Sequence, residues 1–137
     1  MPHITSNKAE RIADEILSTN DDILGVLILD DSRGDVISSK SREPFRRAFG
    51  IFEGGARYGG SLALAALSVA NELREMAGNT LTLITIYEKY KMMLLPLPRY
   101  GIVIGLALQS SINAEDYIIS TKIQRLLLPS AEEGDIA

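Results

Sequence analysis

Few side chains in this sequence are arranged for catalysis. The single histidine, His3, lies in a polar N-terminal stretch that we expect to be loose. The chain has no cysteine, so disulfides, thiolate metal ligands and cysteine nucleophiles are all excluded. A serine–histidine–acid triad and a histidine-rich metal site are equally disfavoured. We therefore predict a protein that is not an enzyme and that needs no metal or cofactor.

Aspartates are grouped near residue 30, and such a group could suggest a calcium loop. The spacing of an EF-hand is not met, however. Asp35 stands where position six requires glycine, and Ser41 stands where position twelve requires glutamate. A polar hairpin turn around Asp30 and Asp31, in which Gly34 takes a positive φ, is the better interpretation.

Two glycine pairs, Gly54-Gly55 and Gly59-Gly60, could cradle a phosphate group. A P-loop would also need a lysine after its last glycine, and here Gly60 and Ser61 follow instead. Backbone amides at the start of a helix can still hold an anion. A role in bending the chain is the favoured interpretation, and an anion site is the alternative.

A local excess of basic residues lies in the middle of the chain. It could be a docking patch for an acidic partner or a phosphate group, or only a solvated helix face, which is the favoured interpretation. The basic residues are Lys40, Arg42, Arg46, Arg47 and Arg57.

Length and composition indicate one globular domain. The chain has 137 residues, of which 46% are hydrophobic, and a net charge of -4. This charge disfavours a general nucleic-acid-binding role. No apolar run approaches the ~18 residues of a membrane span, and the N-terminus is too polar for a signal peptide. We expect a cytoplasmic protein that binds neither nucleic acid nor membrane.

Hydrophobic periodicity predicts the elements that position these residues. A helix is predicted over 6–19, where apolar residues recur at helical spacing. Ile23–Leu29 and Val36–Ser38 form a predicted hairpin. A long helix, led by the glycine pairs, ends at Gly78. Three strands and a last helix follow: Thr80–Tyr87, Tyr90–Leu95, Ile102–Leu108 and 114–127.

The predicted order is therefore α-β-β-α-β-β-β-α. Ile23–Leu29 and Ile102–Leu108 are apolar throughout, which is typical of strands that are covered on both faces. We predict an α/β protein of the α+β type, with a mainly antiparallel five-stranded sheet and helices on both faces. The single domain should span residues 6–128, between a loose 1–5 and a disordered acidic tail at 129–137.

The long helix has two apolar sides. One side is predicted to be the core stripe: Leu62, Ala66, Val69, Leu73 and Met76. The other side carries Ala63, Leu64 and Leu67, with Gly60 nearby. A surface helix of a monomer would normally be polar there, so we expect this second side to cover another copy of the chain.

Three stretches carry a family resemblance: ILGVLILDDSRGDVISS, YGGSLALAALSVANELREMAG and LTLITIYEKYKMMLLPLPRYGIVIGLAL. In pattern the chain resembles the Roadblock / dynein light-chain family, within the profilin-like and longin-like group, over about residues 7 to 127. The resemblance implies a non-enzymatic homodimeric scaffold, a platform for small GTPases, motor complexes or signalling partners. It implies a pairing surface on the long helix and the third strand: Gly60, Ala63, Leu64, Leu67, Asn71, Arg74, Thr82, Ile84 and Ile86.

A second hypothesis is a sensory or ligand-binding module on a related fold. It would recognise a small anion near Arg46, Arg47, Arg57 and the glycine pairs. A mainly apolar pocket with converging arginines would favour this module. A flat two-fold helix surface would favour the scaffold.

Overall fold

The computed structural model describes residues 4–43 and 63–111 of the chain. Within these ranges two helices and a short helical turn accompany five strands. The helices are α1 (Ser6–Thr19), α2 (residues 63–70) and the one-turn α3 (Arg74–Ala77); the strands are β1 (Ile23–Asp30), β2 (Val36–Ser41), β3 (Leu83–Ile86), β4 (Tyr90–Leu97) and β5 (Ile102–Gln109). Short 3-10 turns cover Asn71–Leu73 and Pro98–Tyr100.

The five strands form one sheet in the order β2-β1-β5-β4-β3. Every neighbouring pair is antiparallel. The predicted fold class and the element order as far as β5 are thus confirmed. The last predicted helix, 114–127, lies outside the described residues, and the domain limits stay predictions.

Helix α1 covers one face of the sheet. It begins where the Thr5 hydroxyl accepts a hydrogen bond from the Lys8 amide at 3.2 Å. The bounds agree with the helix predicted over 6–19. Its apolar stripe packs on alternate residues of the central strands, and together they form the larger core cluster. The fully buried side chains of this cluster include Ile16, Ile28, Ile104, Leu106 and Leu108.

Helix α2 lies against the opposite face. Ala63 and Leu67 pack with Leu29 and Val103 in a second, smaller cluster. Gly105 lies on this face, where an added Cβ would meet Leu94 and Leu27 side-chain atoms at 3.5 and 3.6 Å. Both faces of β1 and β5 are therefore covered, as their continuous apolar runs predict.

The rotation of α2 is the reverse of the predicted one. Of the predicted core stripe, Val69 on α2, Leu73 in the next 3-10 turn and Met76 in α3 are 70%, 59% and 86% exposed. Ala66 is half-buried, and Leu62 lies outside the described residues. Ala63 and Leu67, predicted to lie on the outer side, are only 7% and 6% exposed. A wheel with two apolar sides does not say which side meets the sheet, because burial depends on distant strands.

Several boundaries also differ from the predicted ones. β2 continues to Ser41, so Lys40 lies in a strand. β3 begins at Leu83 and pairs with β4 without a bulge. Its two-faced apolar pattern arises because Leu83 packs in the α2 cluster while Ile84 packs against the α1 cluster. Two-sided cover, and not a bulge, therefore explains why the apolar residues of this strand do not simply alternate.

The rotation of α2 generates a test. Leu67→Asp should lower the free energy of unfolding by about 3 kcal/mol or more, because it removes core packing and buries an unpaired charge. Val69→Asp, half a turn away on the same helix, should keep the native circular-dichroism spectrum and unfold cooperatively. Urea denaturation of both variants measures the difference. If Leu67→Asp were native-like and Val69→Asp were unfolded, the observed rotation of α2 would be contradicted and the rotation predicted from the sequence would be supported.

Candidate interaction surface

Exposed large apolar side chains are concentrated in one part of the described chain. Apart from Val36, all of them lie between residues 69 and 87. Most monomeric proteins keep their contiguous apolar patches small, and larger ones mark interaction sites. We call this set the 69–87 surface: Val69, Leu73, Met76, Leu81, Ile86 and Tyr87.

The helical part of this surface follows from the spacing of its residues. Val69, Leu73 and Met76 stand at intervals of four and three, so they share one side of the helical segment. The 3-10 turn Asn71–Leu73 interrupts the helix without removing Leu73 from that side. The helix ends at Gly78, whose φ of 88° suits a residue without a side chain.

A side-chain contact ties the helix end to the strand that follows. The Asn71 Oδ1 accepts hydrogen bonds from the Thr80 hydroxyl at 3.0 Å and from the Thr80 amide at 3.4 Å. The contact bridges nine positions of the chain. It therefore holds the exposed helix stripe and the approach to β3 in a fixed relation.

β3 contributes an open strand edge to the same surface. Among the described strands it pairs only with β4, at the end of the sheet. An unpaired edge presents backbone donors and acceptors that can pair with another strand. Ile86, at 64% exposed, and Tyr87, at 57% exposed, stand at its end.

The predicted pairing residues fall into a buried group and an exposed or half-buried group in the structure. Ala63 and Leu67 lie in the core of the chain, and Leu64 is half-buried beside them. Asn71, Arg74 and Ile86 are exposed, while Thr82 and Ile84 are half-buried. Gly60 lies outside the described residues. Ala63 and Leu67 are thus taken up by the core of the chain itself, and the pairing surface stays a prediction.

Sequence reasoning placed Val69, Leu73 and Met76 in the core and so missed them as surface residues. Their apolar character fits either location equally well. Leu81 carries no clearer signal in the sequence, because it falls inside the predicted strand Thr80–Tyr87. The structure places it before β3, where it is 81% exposed.

A cleft of about 580 Å³ opens beside α2, on the side away from the exposed stripe. Leu64, Leu67 and Val103 contribute apolar groups, and Asp31, Glu72 and Arg74 contribute charges of both signs. The predicted anion module would need converging arginines. Only one arginine lines this cleft among the described residues, and two carboxylates accompany it.

The basic residues of the predicted patch that fall within the described residues are engaged with α1. Arg42 Nε donates to the Ile23 carbonyl at 2.8 Å, and its Nη2 donates to the carbonyls of Leu17 and Asn20. Arg42 therefore links the end of α1 to the start of β1 through hydrogen bonds to their backbone carbonyls. No local pattern indicates this role, because its acceptors lie about twenty positions away.

Lys40 reaches the outer side of the same helix. Its Nζ lies 3.0 Å from Glu10 Oε1 and 3.9 Å from Asp14 Oδ1. These side chains are partly exposed, so the ion pairs contribute little stability. Arg46, Arg47 and Arg57 lie outside the described residues, as do His3 and both glycine pairs. The patch as a whole stays a prediction.

The aspartate-rich segment forms the polar turn that was expected. The Asp30 carboxylate accepts hydrogen bonds from the Ser32 amide and hydroxyl, both at 2.8 Å. These bonds favour the charged carboxylate and lower the pKa of Asp30. Gly34 has a φ of 76°, as the turn requires.

Within residues 4–43 and 63–111, His, Cys, Asp and Glu side chains form no group of three or more that could hold a metal ion. No helix in this part of the chain is long and apolar enough to cross a membrane.

Comparison with known proteins finds similarity in structure but not in sequence. No family model and no curated protein matches the chain. A Roadblock/LC7 domain from Streptomyces avermitilis superposes with a TM-score of 0.68 at 11% identity, over 93% of this chain and 98% of that one. The chain therefore has the Roadblock/LC7 fold, and the resemblance seen in the sequence is confirmed at the level of fold.

Similar matches come from MglB proteins. Myxococcus xanthus MglB gives a TM-score of 0.70 at 13% identity, over 97% of this chain and 94% of that one. The gliding protein MglB from Thermus thermophilus gives 0.69 at 12% identity, over 97% and 98%. At such low sequence identities the structural similarity establishes a shared fold alone. The function therefore has to be argued from this chain's own surface.

The contacts of Arg42 generate a second test. Arg42→Ala should lower the free energy of unfolding by about 2–3 kcal/mol, because backbone carbonyls at the end of α1 lose charged donors. Arg42→Lys should recover only part of the loss, since an ammonium lacks the planar fork of donors. The control Lys40→Ala removes an exposed ion pair and should cost about 0–1 kcal/mol. Urea denaturation compares the three variants, and equal stabilities for Arg42→Ala and Lys40→Ala would contradict the assignment.

Proposed function

We propose that the chain is a non-enzymatic homodimeric scaffold or regulatory module that binds a protein partner. The observation that carries this proposal is the 69–87 surface, which joins an exposed apolar helix stripe to an open strand edge. A monomer gains nothing from exposing Met76 at 86% and Leu81 at 81%. Burial of these side chains in a second copy would supply the driving force for association.

A second copy is the simplest occupant because the surface is suited to two-fold pairing. In a two-fold dimer the same patch is used on both chains, so an apolar stripe meets an apolar stripe and a strand edge meets a strand edge. The Roadblock resemblance implies the same arrangement of central helices and third strands. One solved MglB of the same fold has a tetrameric arrangement, which is a property of that protein.

The proposed interface replaces part of the predicted one. On the helix it consists of Val69, Leu73 and Met76, and not of Ala63 and Leu67, which the fold already uses in its own core. On the sheet it keeps the edge of β3. Stripe and edge are adjacent in the chain, and the hydrogen bonds between Asn71 and Thr80 tie the two segments together.

A more specific hypothesis concerns the identity of the protein partner. The family resemblance implies a small GTPase, and we also expect a cytoplasmic location. The GTPase hypothesis can be tested by crosslinking the chain to its partners in cells and identifying the proteins that copurify. The hypothesis fails if other proteins are recovered reproducibly and no small GTPase is among them. It also fails if a recovered GTPase binds the wild-type dimer no more tightly than it binds the Met76→Asp variant.

The dimer itself can be tested by light scattering behind a sizing column over a dilution series. The wild-type chain should elute with twice the mass of 15.0 kDa. Met76→Asp should weaken association by about 10-fold or more, because a charge would have to be desolvated in the interface. Ser68→Asp adds the same charge on the cleft side of the helix and serves as the control.

Circular dichroism must show that both variants are folded. A wild-type monomer at every concentration would contradict the proposal. So would a dimer that Ser68→Asp weakens and Met76→Asp leaves intact.

A further inference from the structure

Along β3, backbone amides and carbonyls point alternately towards β4 and towards the open edge, and this alternation determines which of them a second strand could reach. The Tyr87 amide donates to the Tyr90 carbonyl at 2.8 Å, across the two-residue turn Glu88-Lys89. Tyr87 and Tyr90 are therefore a hydrogen-bonded pair of the β3–β4 hairpin. In an antiparallel ladder, hydrogen-bonded and non-hydrogen-bonded pairs alternate along the strands.

The alternation can be followed back along β3 from that pair. Thr85, opposite Met92, directs its amide and carbonyl towards β4, and so does Leu83. Ile84 and Ile86 stand at the intervening positions, and their amides and carbonyls point away from β4. The open edge of β3 thus offers the backbone of even-numbered residues only.

This phase limits how two copies of β3 can pair about a two-fold axis. Antiparallel pairing must use the free groups of Ile84 and Ile86 and, if the strand is extended, of Thr82. The two-fold axis nearest the middle of β3 passes by Leu83, Ile84 or Thr85. Each choice fixes a different set of opposed residues.

We propose that the two copies pair with Ile84 opposite Ile84 of the second copy. This inference rests on the proposed homodimer and specifies the register of its strands. Leu83 is then opposite Thr85, and Leu81 is opposite Tyr87. Leu81 and Tyr87 are 81% and 57% exposed in the single chain, and in this register each covers the other.

The neighbouring registers leave Leu81, the most exposed of these side chains, without an apolar partner. An axis at Thr85 places Leu81 opposite Lys89 and Tyr87 opposite Leu83, which already packs in the α2 cluster. An axis at Leu83 places Leu81 opposite Thr85 and Tyr87 opposite Asn79. Apolar cross-strand pairs stabilise an antiparallel sheet, and an apolar residue opposite a charged or amide side chain gains less. The Ile84-centred register is therefore favoured.

The same register joins the sheet contact to the helix contact. Leu83 packs in the cluster with Leu67, so odd-numbered residues of β3 face the side of the sheet that α2 covers. Tyr87 continues this alternation through its hydrogen bond with Tyr90, and Leu81 joins it where pairing with the second copy extends β3. Their cross-strand pair thus lies on the same side of the sheet as the exposed stripe Val69, Leu73 and Met76, which makes a second copy the fitting occupant.

Disulfide trapping tests the register, because the chain has no native cysteine. Opposed residues in a hydrogen-bonded pair have Cα atoms about 5.5 Å apart, and those in a non-hydrogen-bonded pair about 4.5 Å. Both separations fall within the range that a disulfide spans. Residues two positions out of register are about 7–8 Å apart and fall outside it.

Ile84→Cys should form a covalent dimer under mild oxidation, while Leu83→Cys and Thr85→Cys alone should give about tenfold less. A mixture of Leu83→Cys and Thr85→Cys, with a tag on one of them, should give a crosslinked mixed dimer. Val36→Cys, on the opposite edge of the sheet, is the control for random collision. Light scattering under reducing conditions must first show that each variant is dimeric.

Efficient crosslinking of Thr85→Cys alone, or of Leu83→Cys alone, would overturn the Ile84-centred register in favour of a shifted one. No crosslinking of any β3 variant in a chain that remains dimeric would place the contact elsewhere and overturn the strand pairing while leaving the homodimer. A wild-type chain that is monomeric would instead refute the proposed function itself.

Discussion

The burial of both faces of the two central strands is the constraint on which the structure depends. β1 and β5 are apolar at almost every position, so neither face can be left to water. α1 covers one face and α2 lies against the other, and the residues buried on the two faces form separate clusters. The sheet therefore decides which side of each helix is available to the exterior.

That constraint explains why one apolar side of the segment from α2 to α3 is left exposed. The side that meets the sheet takes the small and branched residues that fit above Val103 and Leu29, namely Ala63 and Leu67. The other apolar side is left exposed at Val69, Leu73 and Met76. A second copy would satisfy this side at the same time as the edge of β3. The exposed apolar stripe is thus a consequence of how the core is built, and the proposed function rests on that stripe.

The basic residues illustrate how a charge can be misread in a sequence. The sequence places Arg42 in a basic group that was interpreted as a solvated helix face, with a docking patch as the alternative. Its guanidinium instead donates to carbonyls at the end of α1 and the start of β1. Backbone carbonyls at a helix end lack intrahelical partners and attract such donors. Lys40 is likewise directed at acidic side chains of α1.

The sequence by itself determined the helix Ser6–Thr19, the five strands to within a few residues and the mainly antiparallel character of their sheet. These features depend on local periodicity, on turn residues such as Gly34 and Gly78, and on short connections, all of which can be read over a few neighbouring positions. Only the tertiary structure decided which side of α2 is buried and where Arg42 donates. Both depend on residues far away in the chain: Ala63 and Leu67 are buried because β1 and β5 pass beneath them, and Arg42 is held because α1 ends beside it. A helical wheel with two apolar sides carries no information about the position of the sheet.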